Sequence, residues 1–80
     1  MIKIATAYVL IITDVGVEMD VLDQIKAIEG VEEAYLVYGN YDIIAKVTSK
    51  DVNDLKKRVI GQFRTIQKIR NTMTLIGVDD

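Results

Sequence analysis

The 80-residue chain contains no cysteine and no histidine. Without cysteine there can be no disulfide, no thiolate nucleophile and no zinc–thiolate site. Without histidine the usual general base and the commonest transition-metal ligand are missing. No glycine-rich phosphate loop with an arginine is present either, which argues against acyl-phosphate chemistry. Aromatics are sparse, at four Tyr and one Phe. An RNA-binding sheet needs stacking aromatics on its central strands, and only Tyr8 would serve. The net charge of −2 gives no global attraction to nucleic acid or to an anionic membrane. The apolar run 7–12 is far too short to span a bilayer, and no signal peptide is visible. The expectation is a soluble cytoplasmic protein that uses no metal and no cofactor.

What is abundant is aliphatic surface. Half of the residues are hydrophobic, mostly Ile, Val and Leu. One domain is all that 80 residues allow, and a chain this short buries only about 60% of its unfolded surface. The surplus of apolar side chains points to burial between subunits.

Periodicity supplies the order of elements. Residues 2–13 are β-branched and aliphatic and read as a first strand. Its two faces, Ala7, Val9, Ile11 and Tyr8, Leu10, Ile12, are both apolar, unlike a strand with one wet side. Residues 18–29 read as a helix, with Val21, Leu22, Ile25 and Ile28 on one face and Gly30 past its end. Strands follow at 31–38 and 42–48. Gly39-Asn40 between them fits a two-residue type II′ hairpin. Thr48-Ser49-Lys50-Asp51 resembles a capping box opening a second helix, whose buried face would be Val52, Leu55, Val59, Ile60 and Phe63. A long last strand spans 66–78. The order β-α-β-β-α-β, with short right-handed connections, predicts an α+β, ferredoxin-like fold. It has a four-stranded antiparallel sheet, order 4-1-3-2, with both helices on one face. The other face, bare and apolar, should pack against a second copy in a face-to-face dimer.

Two groups of residues invite a binding role. Asp is depleted in strands, yet Asp42 stands at the mouth of one. Its carboxylate suits a ligand ammonium, or else a local bond to the turn. Tyr38 and Tyr41 flank that turn, as a ligand wall or as cross-strand packing. In the last strand, Thr72 and Thr74 share a face by the period of two. Their hydroxyls suit a carboxylate, although Thr also simply favours strands. The turn and the threonines lie towards opposite sheet edges, about 14 Å apart at three strand spacings. A small ligand touching both would sit between subunits. The basic residues Lys56-Lys57-Arg58, Arg64, Lys68 and Arg70, and the acidic Glu32-Glu33, read as solvated surface.

These motifs resemble a known family. Gly39-Asn40-Tyr41-Asp42 is similar to the Gly-x-Tyr-Asp turn of the effector-binding (RAM) domain of the leucine-responsive regulatory protein/AsnC transcription regulators. Residues 69–76, with two threonines, are similar to its final strand, and Ile28-Glu29-Gly30-Val31 to its helix-to-strand corner. The resemblance covers nearly the whole chain, as a single domain over residues 1–80. It implies sheet-to-sheet dimers that assemble into rings, commonly octamers. It also implies an amino acid effector held between dimers by Gly39, Asn40, Tyr41, Asp42, Thr72 and Thr74. Asn40 departs from the second acidic residue common there. The family's usual helix-turn-helix domain has no counterpart before strand 1, so the resemblance is to a stand-alone RAM protein. That implies transcriptional control by assembly with itself or with full-length regulators, without direct DNA contact and without catalysis. The ACT domain, which shares the topology and also binds amino acids, is the nearest rival. A small ferredoxin-like enzyme is a more distant one.

Overall fold

The computed structural model describes residues 4–78. Ile2 and Lys3, expected to open the first strand, lie outside the described residues. The elements run β1 (Ala5–Thr13), α1 (Glu18–Lys26), β2 (Val31–Leu36), β3 (Ile43–Ser49), α2 (52–63) and β4 (Ile69–Ile76). The sheet order is β2-β3-β1-β4, the expected 4-1-3-2 read from the other edge, and every pair is antiparallel. This is the ferredoxin-like fold.

Alternation in β1 decides the two sides of the sheet. Ala7, Val9 and Ile11 are buried beneath the helices. They meet Ile43, Ala45 and Val47 of β3 in register and Val21, Leu22, Ile25, Leu55, Val59 and Phe63 from the helices. Tyr8, Leu10 and Ile12 face the other way, beside Ile44 of β3 and Met73 and Leu75 of β4. On this open face Tyr8, Tyr35, Met73 and Leu75 are exposed. The Tyr35 hydroxyl donates to the Glu33 carboxylate, which holds the phenol above its ordinary range.

Both helices depart from the sequence pattern at their ends. The first stops at Lys26 with Ala27 as its cap, three residues early, because Ile28 turns back to the core on an N–H bond to Ile25 O of 3.0 Å. Gly30 then takes a φ of 104°. A Cβ there would lie 2.7 Å from Val59 Cγ2, so both the backbone and the contact with α2 require glycine. The second helix is capped by Asp51, whose carboxylate accepts the Asp54 N–H at 2.7 Å. Thr48 is not the cap. It stays in β3, where its N–H donates to Gly30 O at 2.8 Å. Asp54 accepts from the Ser49 hydroxyl and from Arg58, and these, Ser49 first, hold its carboxyl below the ordinary range.

The middle of α2, Leu55–Ile60, is a π-helical turn. Buried Leu55, Val59 and Phe63 recur at steps of four. Such a step drifts around an α-helix of 3.6 residues per turn. The wider π turn reduces the drift and keeps these side chains over the sheet. Val52, expected on the buried face, is instead 42% exposed, because it precedes the stretch that the π turn aligns. β4 is also shorter than expected. Residues 64–68 form a turn in which Ile66 still reaches the core, and Lys68 O accepts the Asp14 N–H at 2.9 Å.

Candidate functional site

The β2–β3 connection is wider than a two-residue hairpin. Its closing bond runs from Val37 N–H to Asp42 O at 2.9 Å, which leaves residues 38–41 in the loop. The cause is Asp42. Its N–H donates to Ile11 O at 2.9 Å, and its Oδ2 accepts the N–H of Thr13 at 2.9 Å. The Asp42 carboxylate is therefore tied to β1 rather than to the turn, and a strand end that would otherwise hold an orphan donor is satisfied. Oδ1 has no hydrogen-bond partner among the described residues and is the oxygen free for a ligand. Gly39 has the positive φ expected of it, at 137°. Tyr38 is fully exposed, at 107% of the reference area, so it packs on nothing. Tyr41 reaches across β1 on the open face, and its hydroxyl lies 3.6 Å from Met73 Sδ. Beside Asp42, a cavity of about 240 Å³ also takes in Glu18, at the start of α1, and Tyr38.

Thr72 and Thr74 do share a face, and the register decides which one. They sit opposite Ile11 and Val9, so they look towards the helices, whereas Met73 between them looks the other way. They open into a second cavity, about 400 Å³, between β4 and the end of α2. Its apolar wall includes Val9, Ile60 and Phe63, and its polar side adds Arg64, Arg70 and Asn71. Arg70 is placed there by a β-bulge. Ile12 pairs with Asn71 but Thr13 pairs with Ile69, so Arg70 is the extra residue and its side chain is re-aimed. An Asp14 carboxylate stands 3.9 Å from it. Asp42 and the threonines are closer than the three strand spacings expected from the sequence. Asp42 heads β3, two strand spacings or about 10 Å from β4, and Tyr41 touches β4 within its own chain. What separates Tyr41 from the threonines is the sheet itself, because they lie on opposite faces.

A family model described as the Lrp/AsnC ligand binding domain matches residues 6–79. The chain belongs to that family. Among curated relatives, an uncharacterized HTH-type transcriptional regulator of Pyrococcus furiosus is 35% identical over 75 residues. That match takes in 90% of this chain and 50% of the regulator, so the chain spans about half the length of such relatives. A solved structure of a hypothetical protein from Pyrococcus horikoshii superposes with a TM-score of 0.86 at 36% identity, covering 95% of this chain and 92% of that one. A shorter stretch of 51 residues is 37% identical to homocitrate synthase of Saccharolobus islandicus, covering 64% of this chain and 11% of the enzyme.

In this Lrp/AsnC domain the two cavities lie at one end of the sheet and carry opposite charge. The one beside Asp42 has the carboxylates of Glu18 and Asp42 in its lining. The one beside the threonines has Arg64 and Arg70. The sequence reading missed Glu18, Arg64 and Arg70. Only a bulge and a helix end bring the arginines to the threonines, and a single sequence carries little signal for either. Gly39 and Asn40 lie in the loop and line neither cavity. Among the described residues no group of three or more acidic side chains is placed to hold a metal ion, and no helix is long and apolar enough to cross a membrane.

Proposed function

We propose that this Lrp/AsnC domain senses an amino acid between subunits and passes the signal on through assembly. The observation that carries the reading is the separation of charge. An amino acid zwitterion needs an anion for its ammonium and donors for its carboxylate. Each cavity offers one sign, and within one chain they do not merge. A site made from the Asp42 loop of one subunit and the Thr72–Thr74 edge of another offers both. Such a contact is heterologous, which generates rings when the rotation closes. The open sheet face, with Tyr8, Leu10, Met73 and Leu75, supports a separate face-to-face contact within a dimer. It also favours this reading over an ACT-like arrangement of sheets joined side by side.

The 80 residues act on transcription indirectly in this reading. With a net charge of −2, their own affinity for DNA is expected to be non-specific, about 10⁻⁴ M or weaker. These 80 residues join full-length regulators in the cytoplasm through the same contacts, and a subunit that supplies only those contacts lowers the avidity of the whole for DNA. The test is native mass spectrometry of the chain alone and mixed with a full-length Lrp/AsnC regulator, with and without a mixture of amino acids. Rings or mixed species whose abundance shifts with one amino acid are expected. A monomer indifferent to every amino acid would refute the proposal.

A further inference from the structure

We infer that the cavity between β4 and the end of α2 is by itself a binding site for a small carboxylate with an apolar body, such as a branched-chain α-keto acid, with no ammonium required. The inference rests on the carboxylate half of the amino acid reading and dispenses with the other half.

Every polar side chain among the lining residues is a donor or can act as one. Arg64 and Arg70 are its ionisable lining residues, and both are cationic. No carboxylate pairs with Arg64 among the described residues, and the one near Arg70 stands 3.9 Å away. The Asn71 Oδ1 accepts the Thr72 N–H at 2.9 Å, and its NH₂ keeps both donors. The Thr72 and Thr74 hydroxyls complete the set. A helix C-terminus would ordinarily repel an anion through its open carbonyls. Here those carbonyls are taken: Gly61, Gln62 and Phe63 accept the N–H groups of Arg64, Thr65 and Ile66 at 3.3, 3.1 and 3.2 Å.

The size and the walls set the rest of the ligand. About 400 Å³ lies within the range of small-molecule sites. An apolar wall beside a cationic rim favours a branched hydrocarbon attached to a carboxylate over a dicarboxylate, whose second charge would face Ile60 and Phe63. Since no acidic residue lines the cavity, an ammonium gains nothing there within one chain. The α-keto acid, which keeps the carboxylate and the branch of an amino acid but not its nitrogen, satisfies one subunit alone.

Calorimetry of the 80-residue chain with α-ketoisocaproate, leucine, leucinamide and acetate tests this. The keto acid should bind, acetate should bind more weakly, and leucinamide, which lacks the carboxylate, should not bind. Arg64→Gln and Arg70→Gln should each weaken the keto acid about ten- to a hundredfold. Lys57→Gln, which removes a charge from the solvent side of α2, should not. Both arginines are exposed, so the variants keep the core, and circular dichroism verifies it. Added salt should weaken binding to the wild type as a check free of variants. No heat with millimolar keto acid, or binding as tight as wild type in both arginine variants, overturns the inference. Leucine binding without the keto acid would overturn it and leave the amino acid reading standing. Keto acid binding with no response to any amino acid would support it and sink the other.

Discussion

Replacing Asp42 separates its two roles. Its Oδ2 holds the N–H of Thr13, a residue only 3% exposed. Asp42→Ala leaves that donor without a partner in a place water scarcely reaches. A hydrogen bond to a charged group contributes about 1.5–3 kcal/mol, and an orphaned donor costs a similar amount. Total stability for a domain of this size is on the order of 4–12 kcal/mol, so the loss is a large share. At about 4–8 °C per kcal/mol for a small domain, a loss of about 2 kcal/mol lowers the Tm by roughly 8–16 °C. Asp42→Asn keeps an amide oxygen for Thr13 but loses the charge, so it should forfeit no more than about half as much. Amino acid affinity should fall in both variants, about ten- to a hundredfold. Melting curves at one protein concentration, with calorimetry on the same samples, give both readouts. Should Asp42→Ala melt within a degree of wild type, the Thr13 bond does not stabilise the fold. Should Asp42→Asn keep full amino acid affinity, its charge is not the ammonium partner.

Other outcomes follow from the same structure. Gly30→Ala puts a methyl into Val59 at a positive φ and should cost about 1–3 kcal/mol in a denaturant titration. Leu10→Asp places a charge in the centre of the open face, and light scattering should show a shift to monomer with the circular dichroism spectrum retained. Acid titration probes Asp54. Because its folded pKa is lowered, the Ser49 and Arg58 contacts stabilise the fold above the ordinary carboxylate value of about 4. That contribution fades as the pH falls through the lowered value. Asp54→Asn should therefore lower stability at neutral pH and flatten the acid limb of the stability curve. An unchanged acid limb would count against those contacts.

The strand order was legible because the β-α-β-β-α-β order with short, right-handed connections leaves few topologies. The boundaries were less so. Propensity extends a strand for as long as β-branched residues continue, and it cannot register that the 64–68 turn folds Ile66 inward. The π turn in α2 is a packing solution with no local motif. At the site, Asp42 and the threonines were visible as chemical types in unusual places. Their facing was not, because a period of two says that Thr72 and Thr74 agree but not which side they choose. The partner of Asp42 turned out to be Thr13, 29 residues away, beyond the reach of any reading based on local turns.

Tyr41 sits next to Asp42 in the chain, yet its hydroxyl rests on Met73, 47% exposed on the open face. Anything that covers that face presses on Tyr41. Anything that engages Asp42 holds the backbone one peptide away. The two equilibria therefore share a loop of four residues, and by reciprocity each must shift the other by the same factor. A titration of ligand at fixed protein concentration would then report only one slice of the behaviour. Under the proposed function, affinity becomes a function of how much protein is present, and copy number sets the threshold of response.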